Sequence, residues 1–588
     1  RRDKTMEKLS TVSRFLRQAT LGADQKLTEQ VARQGITNWL ERELSSGPGN
    51  PNLYTDTTRG IWAYFRQQLV SRHGERALNG DGNNPALPYK WYSRMAWWQL
   101  NLSANENLLR HRIAQALGEI LVISDSSALE LDAVGFATYY DLLYRHAFGS
   151  YADLLHDVSM HPCMGAYLSH MNNRKADKAR NIHPDENYAR EIMQLFSIGL
   201  FELNADGSRK KDRRGRDIPT YDNTDIKQLA RVFTGLRAAA YQFEWTNSFW
   251  DKSFNGYDVG FEDGINKTYK TIPFVDMTLP MKVDEAFHDR GPKRLLNGHI
   301  QLPGGQGAET EIRTVVDRLV AHPSTAPYIA ERLITQLVTS NPTPAYVRAV
   351  AQKFGKRGDL AATVREILTY PLRNTPEKVS IDGKRNRAAK LRSPVLRVTQ
   401  LLRAFNVRNQ SNQLWVTGED IAEVLKQHPM SSPTVFNFYK PDFTPHGPLL
   451  NAGMVAPEFE IHTSATSIGW VNFMYFWFFG DLFPAVSTDI NADPATPNVL
   501  ELDQDRLQSV ARNRLKPDFR AEIALAKDPT RHDELIDRIS LLLTGRTNLT
   551  IKPKIREAFR SYQTEAEWVV QTIAFMISIS PEFTAQDI

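Results

Sequence analysis

Helical periodicity recurs along most of this 588-residue chain and constrains its fold more than any other feature. Apolar side chains spaced three and four residues apart are typical of amphipathic helices. We therefore predict a mainly α-helical fold, a multi-helix globular array with small β-hairpin and irregular-loop insertions. The pattern occupies 8–46, 91–122, 127–200, 224–237, 309–370 and 385–428, and it returns in the last part of the chain.

Two stretches interrupt the helical pattern in the middle of the chain. The segment "GLFELNADGSRKKDRRGRDIPTYD" (199–222) carries Asp206-Gly207 and Arg214-Gly215 between short strand-like runs, which predicts a small hairpin. Its basic tip fits either a solvated turn or a site for an anionic partner. Residues 241–308 are irregular and rich in aromatic residues and glycine, so we expect a functional loop or small strands there.

A chain of this length usually divides into two to four units at about 150 residues each. The changes in pattern suggest four regions. They are an N-terminal helical region (1–125), a central region with the hairpin and loops (126–308), a further helical region (309–480) and a C-terminal helical region (481–588).

Composition excludes several classes of function. The formal net charge is only +5, so nothing in it calls for a nucleic-acid partner. Cys163 is the only cysteine, which excludes intramolecular disulfides and thiolate zinc sites and leaves His and carboxylate side chains as metal ligands. The most apolar run, 468–479, is shorter than the ~20 residues of a membrane-spanning helix, and we expect it in the core.

One helix carries a carboxylate near its apolar face. In "ENYAREIMQLFSIGL" (186–200), Glu191 falls at the edge of that face, in line with Asn187 and Gln194, and Arg190 lies beside the line. Burying an unpaired carboxylate costs several kcal/mol, roughly. Glu191 therefore needs an arginine such as Arg231, or a metal ion or a water-filled cleft, and both interpretations remain open.

Six segments carry a recognisable pattern in a fixed order. They are "RFLRQATLG" (14–22), "HPCMGAYL" (161–168), "ENYAREIMQLFSIGL" (186–200), "TYDNTDIKQLARVFTGL" (220–236), "FHD" (287–289) and "HPSTAPYIAERLITQLV" (322–338). Together they resemble the large bacterial family known as domain of unknown function 1800. The resemblance implies a mostly helical architecture and, for many members, export from the cytoplasm, often beside a secreted protein of sulfatase-like type. It implies no established reaction.

The resemblance also marks recurrent polar positions. Many members have a third carboxylate on the signature helix where this chain has Gln194, which weakens a carboxylate-only metal site. The chain begins "RRDKTMEKLS", without the apolar core of a signal peptide, so we expect either a cytoplasmic protein or a periplasmic or secreted one whose leader is not present. The recurrent positions are His161, Glu186, Asn187, Arg190, Glu191, Asp225, Arg231, His288 and Asp289.

The leading functional hypothesis is hydrolysis of a polysaccharide or cell-surface glycan by a pair of carboxyl groups. Glu191 would be one member of the pair, and Glu186, Asp225 or Asp289 the other. His161 is a further candidate base. The expected substrate-binding residues are Asn187, Arg190, Gln194 and Arg231, together with Trp245 and Trp250 of the aromatic loop.

Two alternatives use the same residues differently. One is a non-catalytic glycan-binding or cell-surface assembly protein. The other is a metal-dependent hydrolase or oxidoreductase in which His161, Glu191, His288 and Asp289 hold a divalent metal ion. No pair of these residues has HExxH or HxH spacing, so the sequence itself gives the metal site little support.

Overall fold

The computed structural model describes most of the chain and confirms the mainly α-helical prediction. Trp245 and Trp250, the two predicted aromatic binding residues, lie outside the described residues. The described ranges are 2–75, 87–240, 275–374, 378–381, 384–387, 389–410, 412–480, 515–561 and 565–587.

The first half of the described chain contains the carboxylate-bearing helix among its α-helices. Their bounds are α1 Arg2–Ala19, α2 Gln25–Gln34, α3 Ile36–Ser45, α4 Leu53–His73, α5 Trp91–Ser103, α6 Leu108–Gly118, α7 Ala133–Arg145, α8 Tyr151–Met160, α9 Pro162–Tyr167, α10 Asn187–Gln194 and α11 Asn223–Val232.

The helices of the second half complete the array. Their bounds are α12 Ala308–Ala321, α13 Thr325–Leu337, α14 Pro344–Phe354, α15 Leu360–Arg373, α16 Pro394–Ala404, α17 Glu419–Leu425, α18 Pro448–Asn451, α19 Ser464–Phe479, α20 Arg520–Ala526, α21 His532–Thr544, α22 Lys552–Ser561, α23 Ala566–Ser578 and α24 Pro581–Thr584.

The strands of the described chain form only two-stranded antiparallel sheets. Each strand has a single partner: β1 pairs with β2, β3 with β4, β5 with β6, and β7 with β8. The bounds are β1 Leu236–Arg237, β2 Lys282–Val283, β3 Lys293–Leu295, β4 Ile300–Leu302, β5 Lys378–Ile381, β6 Lys384–Arg387, β7 Ala389–Leu391 and β8 Ala585–Asp587.

The predicted hairpin is present as paired antiparallel segments. Phe201 lies opposite Pro219, and Lys211 lies opposite Asp217. Asp217 accepts hydrogen bonds from both Arg209 and Lys211, so the hairpin neutralises part of its own basic charge. An anionic partner for this tip stays a prediction.

One contiguous core joins distant parts of the chain. It runs from Val12 in α1 to Phe583 in α24 and includes side chains from all four predicted regions. The Ser13 hydroxyl donates to the carbonyl of Leu541 at 2.7 Å, which attaches α1 to α21. The boundaries predicted at 125, 308 and 480 stay predictions.

Buried arginines bind the carbonyl oxygens at the ends of helices. Arg110 donates to the carbonyls of Tyr144 and Arg145 at the end of α7, at 2.9 and 3.0 Å, and to Ser46 just after α3, at 2.7 Å. Arg403 donates to the carbonyls of Asn101 and Ala104 at the end of α5. The last carbonyls of a helix lack intrahelical partners and carry partial negative charge. An arginine at this position supplies both the missing hydrogen-bond donors and a compensating positive charge.

The apolar run in α19 is buried on one face only. Trp470 and Trp477 belong to the core, as expected, whereas Ile468, Tyr475 and Phe476 are exposed. Among the described residues, none of the helices combines the length and apolar character needed to cross a bilayer.

Substituting Arg110 tests the role of the buried arginines. We expect Arg110→Met to lower the free energy of unfolding by about 3 kcal/mol, because three carbonyl oxygens lose the donor that the buried arginine supplies. Chemical denaturation measures this change. Arg365→Met is the control, since Arg365 forms an exposed pair with Glu41 whose loss costs under about 1 kcal/mol. Equal losses in the two variants would contradict the capping role.

Candidate functional site

The signature helix is shorter than its sequence pattern predicts. The prediction placed 186–199 on one helical wheel, but α10 ends at Gln194. Gly199 has φ +71°, and a side chain there would meet the ring of Tyr328 at 2.9 Å. The chain therefore turns away between Gln194 and Gly199, and the Tyr328 hydroxyl donates to the carbonyl of Leu195 at 3.1 Å within that turn.

Glu191 is buried, and no arginine among the described residues forms an ion pair with it. The residue is 5% exposed, and its Oε2 atom makes no hydrogen bond to any described residue. Burial raises the pKa of Glu191, and the neighbouring charge of Arg190 only partly offsets that effect. The carboxyl group is thus biased towards its protonated form.

Polar side chains of α10 and the following segment lie beside Glu191. The Tyr221 hydroxyl donates to Oε1 of Gln194 at 2.8 Å. Burial raises the pKa of Tyr221 to about 12, and the charge of Glu191 contributes to the rise. The sequence analysis missed Tyr221, although it lies in the most specific block of the resemblance and next to the cap of α11.

The outer turn of α10 holds the remaining predicted polar residues. Arg190 forms an ion pair with Glu186 at 3.8 Å, and both side chains are exposed. Asn187 donates to the Ser169 hydroxyl at 3.3 Å. Glu186, Asn187, Arg190, Glu191 and Gln194 therefore share one short helix, as the spacing predicted.

Arg231 was named as one possible structural partner of Glu191, but it pairs with another carboxylate. Arg231 makes a bidentate pair with Asp289, at 2.7 and 3.0 Å. Burial opposes ionisation of Asp289, but hydrogen bonds from Arg231 and from the Gly291 amide lower its pKa to about 2. A planar guanidinium matches the two oxygens of a carboxylate, and Asp289 supplies both while Glu191 offers one buried edge.

A buried charge network lies next to that pair. His288 Nε2 and Glu311 Oε1 are 2.6 Å apart, and Lys293 Nζ donates to the same oxygen at 2.8 Å. Lys293 also donates to the carbonyl of Asp289 at 2.5 Å. The predictions included neither Glu311 nor Lys293. Glu311 carries the same signal as Glu191, a carboxylate beside apolar positions of a helix, here Ala308, Ile312 and Val315 of α12.

Asp225 has a structural role at the start of α11. Its side chain accepts the amide of Asp222 at 2.9 Å, while Asp222 accepts the amide of Asp225, which together form a capping box. The second oxygen of Asp225 accepts the amide of Leu296 at 2.8 Å. Both carboxylate oxygens of Asp225 are thus engaged by backbone amides.

His161 caps α9 and is held neutral. Its Nδ1 accepts the amide of Cys163 at 3.0 Å, and its Nε2 lies 2.8 Å from the Thr138 hydroxyl. Because Nδ1 accepts, the proton of the neutral ring sits on Nε2, which donates to Thr138. Burial lowers the pKa of His161 to about 3.

The structure leaves the predicted metal ligands in separate surroundings. His161 contacts Thr138, His288 contacts Glu311, and Asp289 contacts Arg231. Across the ranges that the structure describes, no group of three or more His, Cys, Asp or Glu side chains could hold a metal ion.

Comparison with known proteins yields one match. The model of the family described as "Protein of unknown function (DUF1800)" matches residues 14–585, nearly the whole chain. The curated proteins and the solved structures contain no match to it.

Neutralising Glu191 tests its buried environment. Because its pKa is raised, Glu191 stabilises the fold fully below the ordinary glutamate pKa, and this contribution is lost as the pH rises through the folded-state value. We therefore expect Glu191→Gln to gain stability relative to the wild type over the pH range above the ordinary glutamate pKa of about 4.3. Thermal unfolding across that range measures the difference. Glu186→Gln, at an exposed position beside the same helix, should show no increase in stability relative to the wild type as the pH rises. If the stability difference between Glu191→Gln and the wild type does not change with pH, the raised pKa of Glu191 is contradicted.

A second substitution tests the buried network. Glu311→Gln should lower the free energy of unfolding by about 3 to 5 kcal/mol, because it leaves the buried ammonium of Lys293 without its closest carboxylate. The double variant Glu311→Leu with Lys293→Met removes both charges, so its free energy of unfolding should fall by less than that of Glu311→Gln. Denaturant titration distinguishes the two, and a larger loss in the double variant would refute the pairing.

Proposed function

We propose that this chain, which belongs to the family described as a protein of unknown function (DUF1800), is an exported hydrolase that cleaves a polysaccharide. The family description assigns no reaction, so the proposal is argued from the site, with Glu191 as the general acid. One observation supports this most. Glu191 is buried, its Oε2 has no partner in the described chain, and its pKa is raised.

A general acid must hold its proton near neutral pH and present it to the leaving group. An ordinary glutamate is ionised there, and enzymes raise its pKa by burial in apolar surroundings. Burial is the largest influence on the pKa of Glu191 and raises it, which is the direction that a general acid needs. Its apolar neighbours on α10, Ile192 and Tyr188, belong to the core. Glu311 and Asp225, by contrast, have both carboxylate oxygens hydrogen-bonded.

Glu186 is the best candidate for the second carboxyl group. The other two candidates, Asp225 and Asp289, are engaged by backbone amides and by Arg231. Glu186 is exposed and pairs only at 3.8 Å with Arg190. Five residues separate it from Glu191, which is a rise of about 7.5 Å between the two backbones along a helix axis. We infer an inverting mechanism, in which the two carboxyl groups lie about 6.5 to 9.5 Å apart and leave room for a water molecule.

The remaining polar groups of α10 suit hydroxyl-bearing ligands. Asn187 and Gln194 each offer an amide on the same side of the helix as Glu191, and Tyr221 already donates to Gln194. Arg190 adds a donor at the exposed edge. The residues that would place a sugar ring are therefore Asn187, Gln194 and Arg190. Export, with a sulfatase-like neighbour, remains what the family resemblance implies.

Activity of substituted proteins tests the proposal. On a polysaccharide that the wild type cleaves, Glu191→Gln and Glu186→Gln should each reduce kcat by about 100-fold or more, because each removes one acid–base group. Proton NMR of the first product should show an inverted anomer.

Glu43→Gln is the matched control. Glu43, on α3, also has a buried unpartnered oxygen and a pKa that burial raises to about 7, so it shares the environment of Glu191 without sharing its helix. It should retain full activity. If a glycan binds unchanged to every variant and none is cleaved by the wild type, the protein is a glycan-binding module and the hydrolase proposal fails.

A further inference from the structure

The start of α16 lacks the cap that its sequence provides. The helix begins at Pro394 and follows Ser393, a residue type that usually accepts an amide of the first turn. Here the Ser393 side chain makes no capping bond, and its hydroxyl has no hydrogen-bond partner in the described chain although the residue is 2% exposed. Gln427 instead accepts the amide of Val395, at 3.0 Å.

Two arginines flank this helix start, and each has an unused donor. Arg392 is 0% exposed and donates to the carbonyl of Arg17 and to Gln586, but its Nε–H has no partner among the described residues. Arg397 is 2% exposed and donates through Nε to the carbonyl of Arg392 at 3.1 Å, while its Nη1 has no partner there. The backbone of residue 392 thus holds the Arg397 side chain back against the helix start.

These charges lack a counter-ion. No carboxylate of the described chain forms an ion pair with Arg392 or Arg397, whereas buried Lys390 nearby pairs with Glu458 at 3.0 Å. Burial lowers the pKa of Arg392 well below its ordinary value, and the neighbouring charges of Arg17, Arg112 and Arg397 lower it further. Carbonyl oxygens satisfy some of the hydrogen bonds, but buried charges are usually paired.

We propose that the N-terminal end of α16 binds a small tetrahedral oxyanion, a phosphate or sulfate group, through Ser393, Arg392 and Arg397. Three unused donors within six residues provide the hydrogen bonds, and the helix start contributes its partial positive charge. The guanidinium groups supply planar donors suited to an anion with several oxygens. The bound anion would also balance the buried positive charge. This inference is independent of the Glu191 hydrolase proposal.

The indole of Trp470 covers one side of this site. Its ring lies 4.5 Å from the guanidinium carbon of Arg397 and fixes that group in a cation–π contact. Half-buried His462 is close enough that the charge of Arg397 lowers its pKa, after burial itself. The site is therefore bounded by α16, by Trp470 of α19 and by the segment just before α19.

Ion-dependent stability tests the site. Thermal unfolding of the dialysed protein is measured over a low millimolar series of inorganic phosphate or sulfate, with chloride keeping the ionic strength constant. A site-bound anion gives a saturable rise in Tm, whereas general salting effects do not saturate in this range. Ser393→Ala removes an unpaired hydroxyl and should leave Tm without phosphate unchanged, while it weakens phosphate binding about tenfold.

Two further variants make the result decisive. Thr58→Val is the control, because the Thr58 hydroxyl is equally buried and unpartnered but lies on α4 and should leave phosphate binding unchanged. Arg397→Lys keeps the positive charge but loses the planar set of guanidinium N–H donors, so it should weaken phosphate binding more than Ser393→Ala does. If Ser393→Ala and the wild type respond alike, the proposed site is wrong.

The source of the anion is settled by two more measurements. Ion chromatography of the denatured protein detects a phosphate or sulfate carried through purification, and glucose 6-sulfate and glucose 6-phosphate are compared with the free ions. If glucose 6-sulfate or glucose 6-phosphate binds more tightly than the free ions, the site recognises an anionic group carried on a larger ligand. If only the free ions bind, the ligand is an inorganic ion. Absence of both a carried anion and any saturable response would overturn the proposal.

Discussion

The hydrogen bonds from buried cations to the carbonyl ends of helices are the interaction on which this helical array depends. Helices in such a fold end inside the protein, where water cannot satisfy their last carbonyl groups. Arg110 and Arg403 satisfy the ends of α7 and α5, and Lys390 reaches the last turn of α13. The same interaction lets polar helix ends meet in one core, and Arg110 and Arg403 take part in it without an ion pair to any carboxylate of the described chain.

Against that background, the buried acids divide into two kinds. Asp289 pairs with Arg231 of α11, and Glu311 of α12 pairs with Lys293, so these ion pairs fix the positions of the two helices. Glu191 lies on the adjacent α10, forms no ion pair with a cation of the described chain, and has a pKa that burial raises. Charged pairs thus build the scaffold on which Glu191 lies.

Helical periodicity was sufficient to predict the fold class and the burial of Glu191, because both follow from the spacing of side chains along one helix. The choice of partners was not predictable, since a sequence does not state which arginine meets which carboxylate. Arg231 was one candidate partner for Glu191, but it binds Asp289, 58 residues away. Glu311 was missed because the same test, a carboxylate among apolar positions, was not applied to α12.

The attachment of α1 to the far end of the chain has a consequence for biosynthesis. Arg17 donates to the carbonyl of Phe583, a partner 566 residues later. At about 5 to 20 residues per second, translation needs roughly 30 to 110 s to produce that partner. Until then α1 exposes the apolar side chains of Phe15 and Leu16, which are core residues in the finished fold. The nascent chain therefore has a long interval in which it is open to chaperones, to translocation or to aggregation before its two halves close.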